Sequence, residues 1–284
     1  MMRRLLLIAA LLVGPPASAQ PVFDAHVHLH DGEASLRDYE AKSGDVAGLG
    51  TMWFGGPHQA LAGKPAEMRA ANEALLALAK RHPKLLPIAT VHPYDGAAAL
   101  DELDRVAGLG VKVLKIHPHT QKFDAADPRV LALVRRAGER GVIVLMDNAG
   151  ILPGDCETLF NLALAALKTR FVFAHLGGMA FRFWNILKAA RTAEGLFGDN
   201  IYFDLSATAV LVAGSPIAEE FVWTVRNVGV DHVLFGSDYP QLSLAQSLAA
   251  LEALPFTPEE RARIRYGNAR ALFGLQAASS ASSP

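Results

Sequence analysis

The chain has a single cysteine, Cys156, in 284 residues. One thiol excludes an internal disulfide and a cysteine-built zinc cage. No base partner can be identified for it, so Cys156 reads as a packing residue. Net charge is nearly absent too: 27 lysines and arginines against 28 aspartates and glutamates leave −1. That balance gives no electrostatic footing for a nucleic-acid partner. The apolar stretch Leu5 to Val13 is too short to cross a bilayer as a helix, so no stable membrane anchor is expected. Nor does a Gly-x-Gly-x-x-Gly turn follow the first strand-like segment, which disfavours a doubly wound dinucleotide-binding sheet.

What is present begins with a leader. Arg3 and Arg4 precede the short apolar run, and Ala17-Ser18-Ala19 matches a small-x-small cleavage site. Residues 1–19 are therefore expected to be a cleaved signal peptide, with the mature chain exported to the periplasm. Residues 20–275 then form one domain, and the small, polar residues 276–284 are expected to be a disordered tail.

Hydrophobic residues make up 51% of the chain, enough for a large core. Apolar strand candidates fall at 22–28, 46–53, 85–92, 111–117, 142–147, 171–175, 201–206 and 232–238. They recur every 25 to 30 residues or so, roughly the period of a βα unit. The intervening segments read as helices. Asp127-Pro128 is an N-cap with proline at the first helical position, and Thr257-Pro258-Glu259-Glu260 is a capping box. Eight such units with no linker predict an α/β fold, a single-domain (β/α)8 TIM barrel.

A barrel places functional groups at the C-terminal strand ends. Period-two alternation predicts inward sets that end in polar groups. They are Asp24, His26 and His28 on strand one; Val113, Lys115 and His117 on four; Ile143, Leu145 and Asp147 on five. They continue with Phe171, Phe173 and His175 on six, Asp204 and Ser206 on seven, and Gly236 and Asp238 on eight. Two imidazoles at i and i+2, His26 and His28, are a common beginning of a metal site. His92, His117 and His119 are candidates to line the pocket, whereas His30, His58, His82 and His232 read as surface or loop residues. Phe181, Phe183 and Trp184 either roof the pocket, with Arg182 near an anionic substrate, or begin an amphipathic helix.

Three segments accompany the histidine pair: Phe171-Val172-Phe173-Ala174-His175-Leu176-Gly177-Gly178, Leu234-Phe235-Gly236-Ser237-Asp238-Tyr239-Pro240, and Lys115-Ile116-His117-Pro118-His119 with Gln121. With Gly267-Asn268-Ala269-Arg270-Ala271-Leu272-Phe273 at the end, the chain resembles the amidohydrolase superfamily from about residue 21 to 275. It is most similar to the amidohydrolase-related branch that includes aminocarboxymuconate-semialdehyde decarboxylase. The resemblance implies one divalent metal, zinc first, held by His26, His28, a fifth-strand histidine and Asp238. It also implies His175, with Asp238, as the catalytic acid/base. The implied activity is metal-dependent hydrolysis of an amide, ester or lactone in a small molecule by activated water. Decarboxylation of a small unsaturated or aromatic acid is the alternative within the fold. A non-catalytic periplasmic binding protein on a degenerate barrel is the alternative outside it. Homodimers are common among such proteins.

The chain departs from that pattern at Val144-Leu145-Met146-Asp147-Asn148-Ala149-Gly150, where Asp147 stands in place of the histidine. Asp147 either ligates the metal or leaves the shell to be closed by His175 or His117; the third reading is loss of the metal. A second carboxylate ligand would shift preference toward manganese or iron. Asp147 also suits an Asx turn before Gly150. Lys115 and His117 are candidate substrate-binding residues. Lys115 reads as a buried lysine facing Asp147, Asp204 or Asp238, or as the carbamylated bridging lysine of binuclear superfamily members.

Overall fold

Strands that are apolar on both faces need cover on both sides, and parallel pairing through helical crossovers supplies it. Eight such strands form in the computed structural model, which describes residues 21–54 and 61–275. The leader, His58 and the tail 276–284 lie outside the described residues.

The strands are β1 (Phe23–His28), β2 (Gly48–Met52), β3 (Leu85–Thr90), β4 (Val113–Ile116), β5 (Ile143–Met146), β6 (Phe171–Phe173), β7 (Ile201–Asp204) and β8 (Val233–Leu234). They pair in chain order and in parallel. The ring closes where Asp238 N donates to His26 O at 2.9 Å and His28 N donates to Tyr239 O at 2.8 Å. Helices such as Pro65–Arg81, Pro128–Glu139 and Ala218–Val228 cover the outside. This is the expected (β/α)8 barrel. The predicted caps form: Asp127 accepts from Arg129 N, and Thr257 and Glu260 satisfy each other's backbone donors.

Two apolar layers follow. Phe23, Met52, Ile88, Val113, Leu145, Val172 and Leu234 fill the barrel, with the Phe273 ring tilted against Phe23 at 5.7 Å. Outside, Leu114, Val144, Phe171, Phe173 and Phe203 pack against the helices, where Trp184 lies 5.3 Å from Phe173 and 4.8 Å from Phe203. Truncating a fully buried ring such as Phe173 to alanine costs about 3–5 kcal/mol.

Three details correct the sequence reading. Every strand is shorter than predicted at one end or both, and His92, His117, Asp147, His175, Ser206 and Asp238 all lie just beyond a strand. The alternation on β6 is shifted, since Phe171 and Phe173 belong to the outer layer and Val172 and Ala174 to the inner one. His175 still enters the barrel mouth because its backbone turns left-handed, at φ 63°. Asp24 is not part of the inner set either: its Oδ2 accepts from Tyr39 OH at 3.0 Å and its Oδ1 from Ser237 N at 2.8 Å. A register shift between Asp24 and Val27 resets the phase, so that His26 and His28 share a face.

Candidate metal centre

His26 is 1% exposed and fixed from behind. Its Nδ1 lies 3.0 Å from Asp204 Oδ2, so Nδ1 carries the proton and Nε2 presents a lone pair. That Nε2 is 3.5 Å from Asp238 Oδ1. His28 repeats the arrangement: Nδ1 is held by the Phe54 carbonyl, and Nε2 is again 3.5 Å from Asp238 Oδ1. Burial pushes the His28 pKa down to about 4 against the pull of Asp238, so it is neutral near pH 7.

Asp238 reaches this point through a left-handed backbone, φ 64°. Such conformations cost about 1–3 kcal/mol in a non-glycine residue and cluster at functional sites. The chain just before it must also run close to β1. A Cβ at Gly236 would stand 2.9 Å from His26 Cβ, so glycine is required there.

One step round the ring, Asp147 takes two imidazoles. Its Oδ1 lies 3.3 Å from His175 Nε2 and 3.5 Å from His117 Nε2. Burial raises the Asp147 pKa, but His175, His117 and Lys115 outweigh it and hold the carboxyl well below its usual range. His175 Nδ1 faces the Ser206 carbonyl at 3.0 Å. Asp204 ties the two halves together, accepting from His175 N at 3.1 Å and from Ser206 N at 3.0 Å. Burial opposes charge on His175, yet Asp147, Asp204 and Asp238 prevail and raise its pKa to about 9.

His26, His28, Lys115, His117, Asp147, His175 and Asp238 all line one cavity of about 950 Å³. Lys115 sits at its floor, 1% exposed; burial lowers its pKa while Asp147, Asp204 and Asp238 act on it through their charge. Phe54 stacks on His117 at 5.6 Å and forms a wall. His119 lines the cavity and pairs with Asp155, but His92 spends both ring nitrogens on Gln121 O and Tyr94 N outside it. His30, read as a surface or loop residue, lies in the turn after β1, where it lines the cavity and stacks on His28 at 5.7 Å. His232, also expected outside, is 9% exposed and bound to Ile201 O. Phe181 and Trp184 are core residues and Arg182 forms a two-pronged pair with Glu220, which is the amphipathic-helix reading. Cys156 is buried, its thiol pushed up to about 12, in keeping with a packing role.

Sequence reasoning missed the support behind the ligands. Asp204 and Ser206 had been placed inward by alternation, which was the available signal. That Asp204 orients His26 and His175 at once was not visible.

With the geometry in view, comparison decides the family. A family model described as Amidohydrolase matches residues 23–275. The chain belongs to the amidohydrolase family. Comparison with the curated proteins gives no match. Among solved structures, 2,6-dihydroxybenzoate decarboxylase from Rhizobium is similar with a TM-score of 0.68 at 16% identity, covering 90% of this chain and 99% of that one. The 5-carboxyvanillate decarboxylase from Sphingomonas paucimobilis gives 0.64 at 18%, covering 84% and 82%. A dihydroxybenzoic acid decarboxylase from Polaromonas, solved with bound manganese and the inhibitor 2-nitroresorcinol, gives 0.64 at 14%, covering 92% and 98%. These likenesses concern the barrel fold.

Members of the superfamily bind a divalent metal, and the donor set here fits one. One atom each from His26, His28 and Asp238 lies within 4.8 Å of the others. Two imidazoles and a carboxylate suit zinc, manganese or iron. Asp147 lies outside that close group and faces His175 and His117.

Proposed function

We propose that the protein is a metal-dependent decarboxylase of a small aromatic or unsaturated acid. His26, His28 and Asp238 would hold the divalent cation, with His175 as the catalytic acid. The observation that carries this reading is the environment of His175. Both of its ring nitrogens face oxygen acceptors, Ser206 O at 3.0 Å and Asp147 Oδ1 at 3.3 Å, while Ser206 Oγ, 2.9 Å from Nδ1, gives its own proton to Asp204 Oδ1. The imidazolium donates to both, and Asp147, outside the group of three donors, stays with His175, whereas Asp238, 3.5 Å from His26 and from His28, is the carboxylate that a cation would take. A group held in that form delivers a proton, which is what decarboxylation at carbon needs first. Hydrolysis by activated water, the first expectation from the sequence, calls for a group that accepts one. The named activities of the three neighbouring structures support the same choice.

A bound cation supplies Lewis-acid polarisation of the acid's oxygen atoms. The rest falls to the chain. Lys115 places positive charge at the floor for an anionic substituent, and Phe54 walls the ring. His175 gives its proton to the carbon that bears the carboxylate. The bond to the carboxylate carbon then breaks, CO₂ leaves and its bonding electrons return to the unsaturated system. Asp147 holds His175 in place and restores its charge balance. Asp147 is thus a positioning residue rather than a ligand.

The test is CO₂ release and deuterium uptake at the vacated carbon, measured in heavy water on a panel of hydroxybenzoates with metal-loaded protein. Turnover that disappears in His175→Asn supports the reading. Cleavage of lactones or esters with no CO₂ from any acid refutes it. The leader at residues 1–19 would place the activity in the periplasm, which N-terminal sequencing of the exported protein checks.

A further inference from the structure

The segments after three successive strands bring bare aliphatic side chains to the cavity. Ile151 and Leu152 follow β5, Met179 follows β6 and Leu211 follows β7. All four line the same cavity as His28, Asp147 and His175. They are 75%, 54%, 54% and 63% exposed. Single exposed apolar residues are ordinary, but these four line the rim of one cavity. Below it the wall is small or uncharged, made by Ala149, Gly150, Gly178, Ala207 and Thr208. Lys115, at the floor, is the sole lysine or arginine among the described lining residues. A substrate with a second anionic end would therefore leave that end against hydrocarbon, with no cation beside it.

We propose that the acid taken by this site carries an apolar arm, an alkyl or alkenyl chain of several carbons. The arm runs from the polar floor to lie against Ile151, Leu152, Met179 and Leu211. The acid head rests on the decarboxylase reading; the arm rests on the rim alone. The cavity has room for both. At about 950 Å³ it stands near the top of the roughly 300–1,000 Å³ of small-molecule sites, more than one carboxylated ring requires. A bound arm also accounts for the exposed hydrocarbon that these three segments place at the cavity. That hydrocarbon is covered when substrate is bound.

The experiment uses full-length, metal-loaded protein and 4-methyl-, 4-propyl-, 4-pentyl- and 4-heptylbenzoate, with affinity read by calorimetry. CO₂ release from the matching 4-alkyl-2,6-dihydroxybenzoates is measured separately. Affinity should rise about twofold to threefold per methylene while the chain covers the rim. The rise should vanish in Ile151→Ser/Leu211→Ser protein, altered at two exposed positions that the fold tolerates. Affinity that is flat in the unaltered protein, or that rises equally in both proteins, overturns the proposal. So does a rim that joins two copies of the chain, seen in sedimentation as a dimer that the serine variant converts to monomer. Rising affinity without CO₂ keeps the arm and sinks the decarboxylase reading. CO₂ release with a flat series does the reverse.

Discussion

Replacing Asp147 by asparagine preserves the shape of the corner after β5 and removes one buried charge. In the metal-free protein that charge is the principal partner of His175, through the 3.3 Å contact. The His175 pKa, about 9 in the folded state, stands above its ordinary 6.5. The folded chain therefore keeps a proton that the unfolded chain releases between those values. This stabilisation is fully present below pH 6.5 and is lost as pH rises through 9. The interval of 6.5 to about 9, at about 1.36 kcal/mol per pH unit, corresponds to about 3 kcal/mol. His28 and His117, pushed down to about 4 and about 3, do not titrate in this window when folded; Lys115, whose pKa burial lowers, acts with the opposite sign, so each fall is read against the same chain carrying His175→Asn. Urea denaturation of chelator-treated protein from pH 6.5 to 9.5 measures the loss. The unaltered chain should lose about 3 kcal/mol, and Asp147→Asn about 1 kcal/mol or less, because burial then outweighs the remaining carboxylates. An unaltered chain whose stability is flat across the window would refute the reasoning. An equal fall in both proteins would assign the proton to another group.

Three more outcomes follow from the same geometry. Alanine at His26, His28 or Asp238 should remove the tightly held metal seen by elemental analysis, whereas Asp147→Asn should retain about one ion per chain, as a three-ligand site requires. Asp204→Asn should weaken metal affinity about 10- to 100-fold in competition with a chelator, since it releases the ring of His26; unchanged affinity would mean that the orientation of His26 is fixed by packing alone. Gly178 has φ 54°, and a Cβ there would collide with the Ala149 carbonyl, so Gly178→Ala should destabilise the fold by about 2 kcal/mol or more in chemical denaturation.

Much of the architecture is legible in the sequence because it is local. The βα period, the caps at Asp127 and Thr257 and the spacing of His26 and His28 each depend on neighbours a few residues away. The trio His26, His28 and Asp238 is what the family resemblance implies, and the structure brings the three together. Alternation then failed where the backbone stopped being regular. A register shift on β1 took Asp24 out of the inner set, and left-handed residues after β6 brought in His175 although Phe171 and Phe173 face outward. His30, in the turn after β1, joins the cavity lining through its stacking on His28.

The sequence by itself determined the barrel, the family and the residue types at the strand ends, because hydrophobic period and motif order are properties of the chain. Only the tertiary structure decided what those residues do to one another. Asp204 reaches His26 across 178 positions, Asp147 sits between two histidines that follow different strands, and four aliphatic side chains that follow three strands line one cavity. Hydrogen bonds, buried charge and apolar contact act over a few ångströms of space, and closing the ring of strands sets those distances.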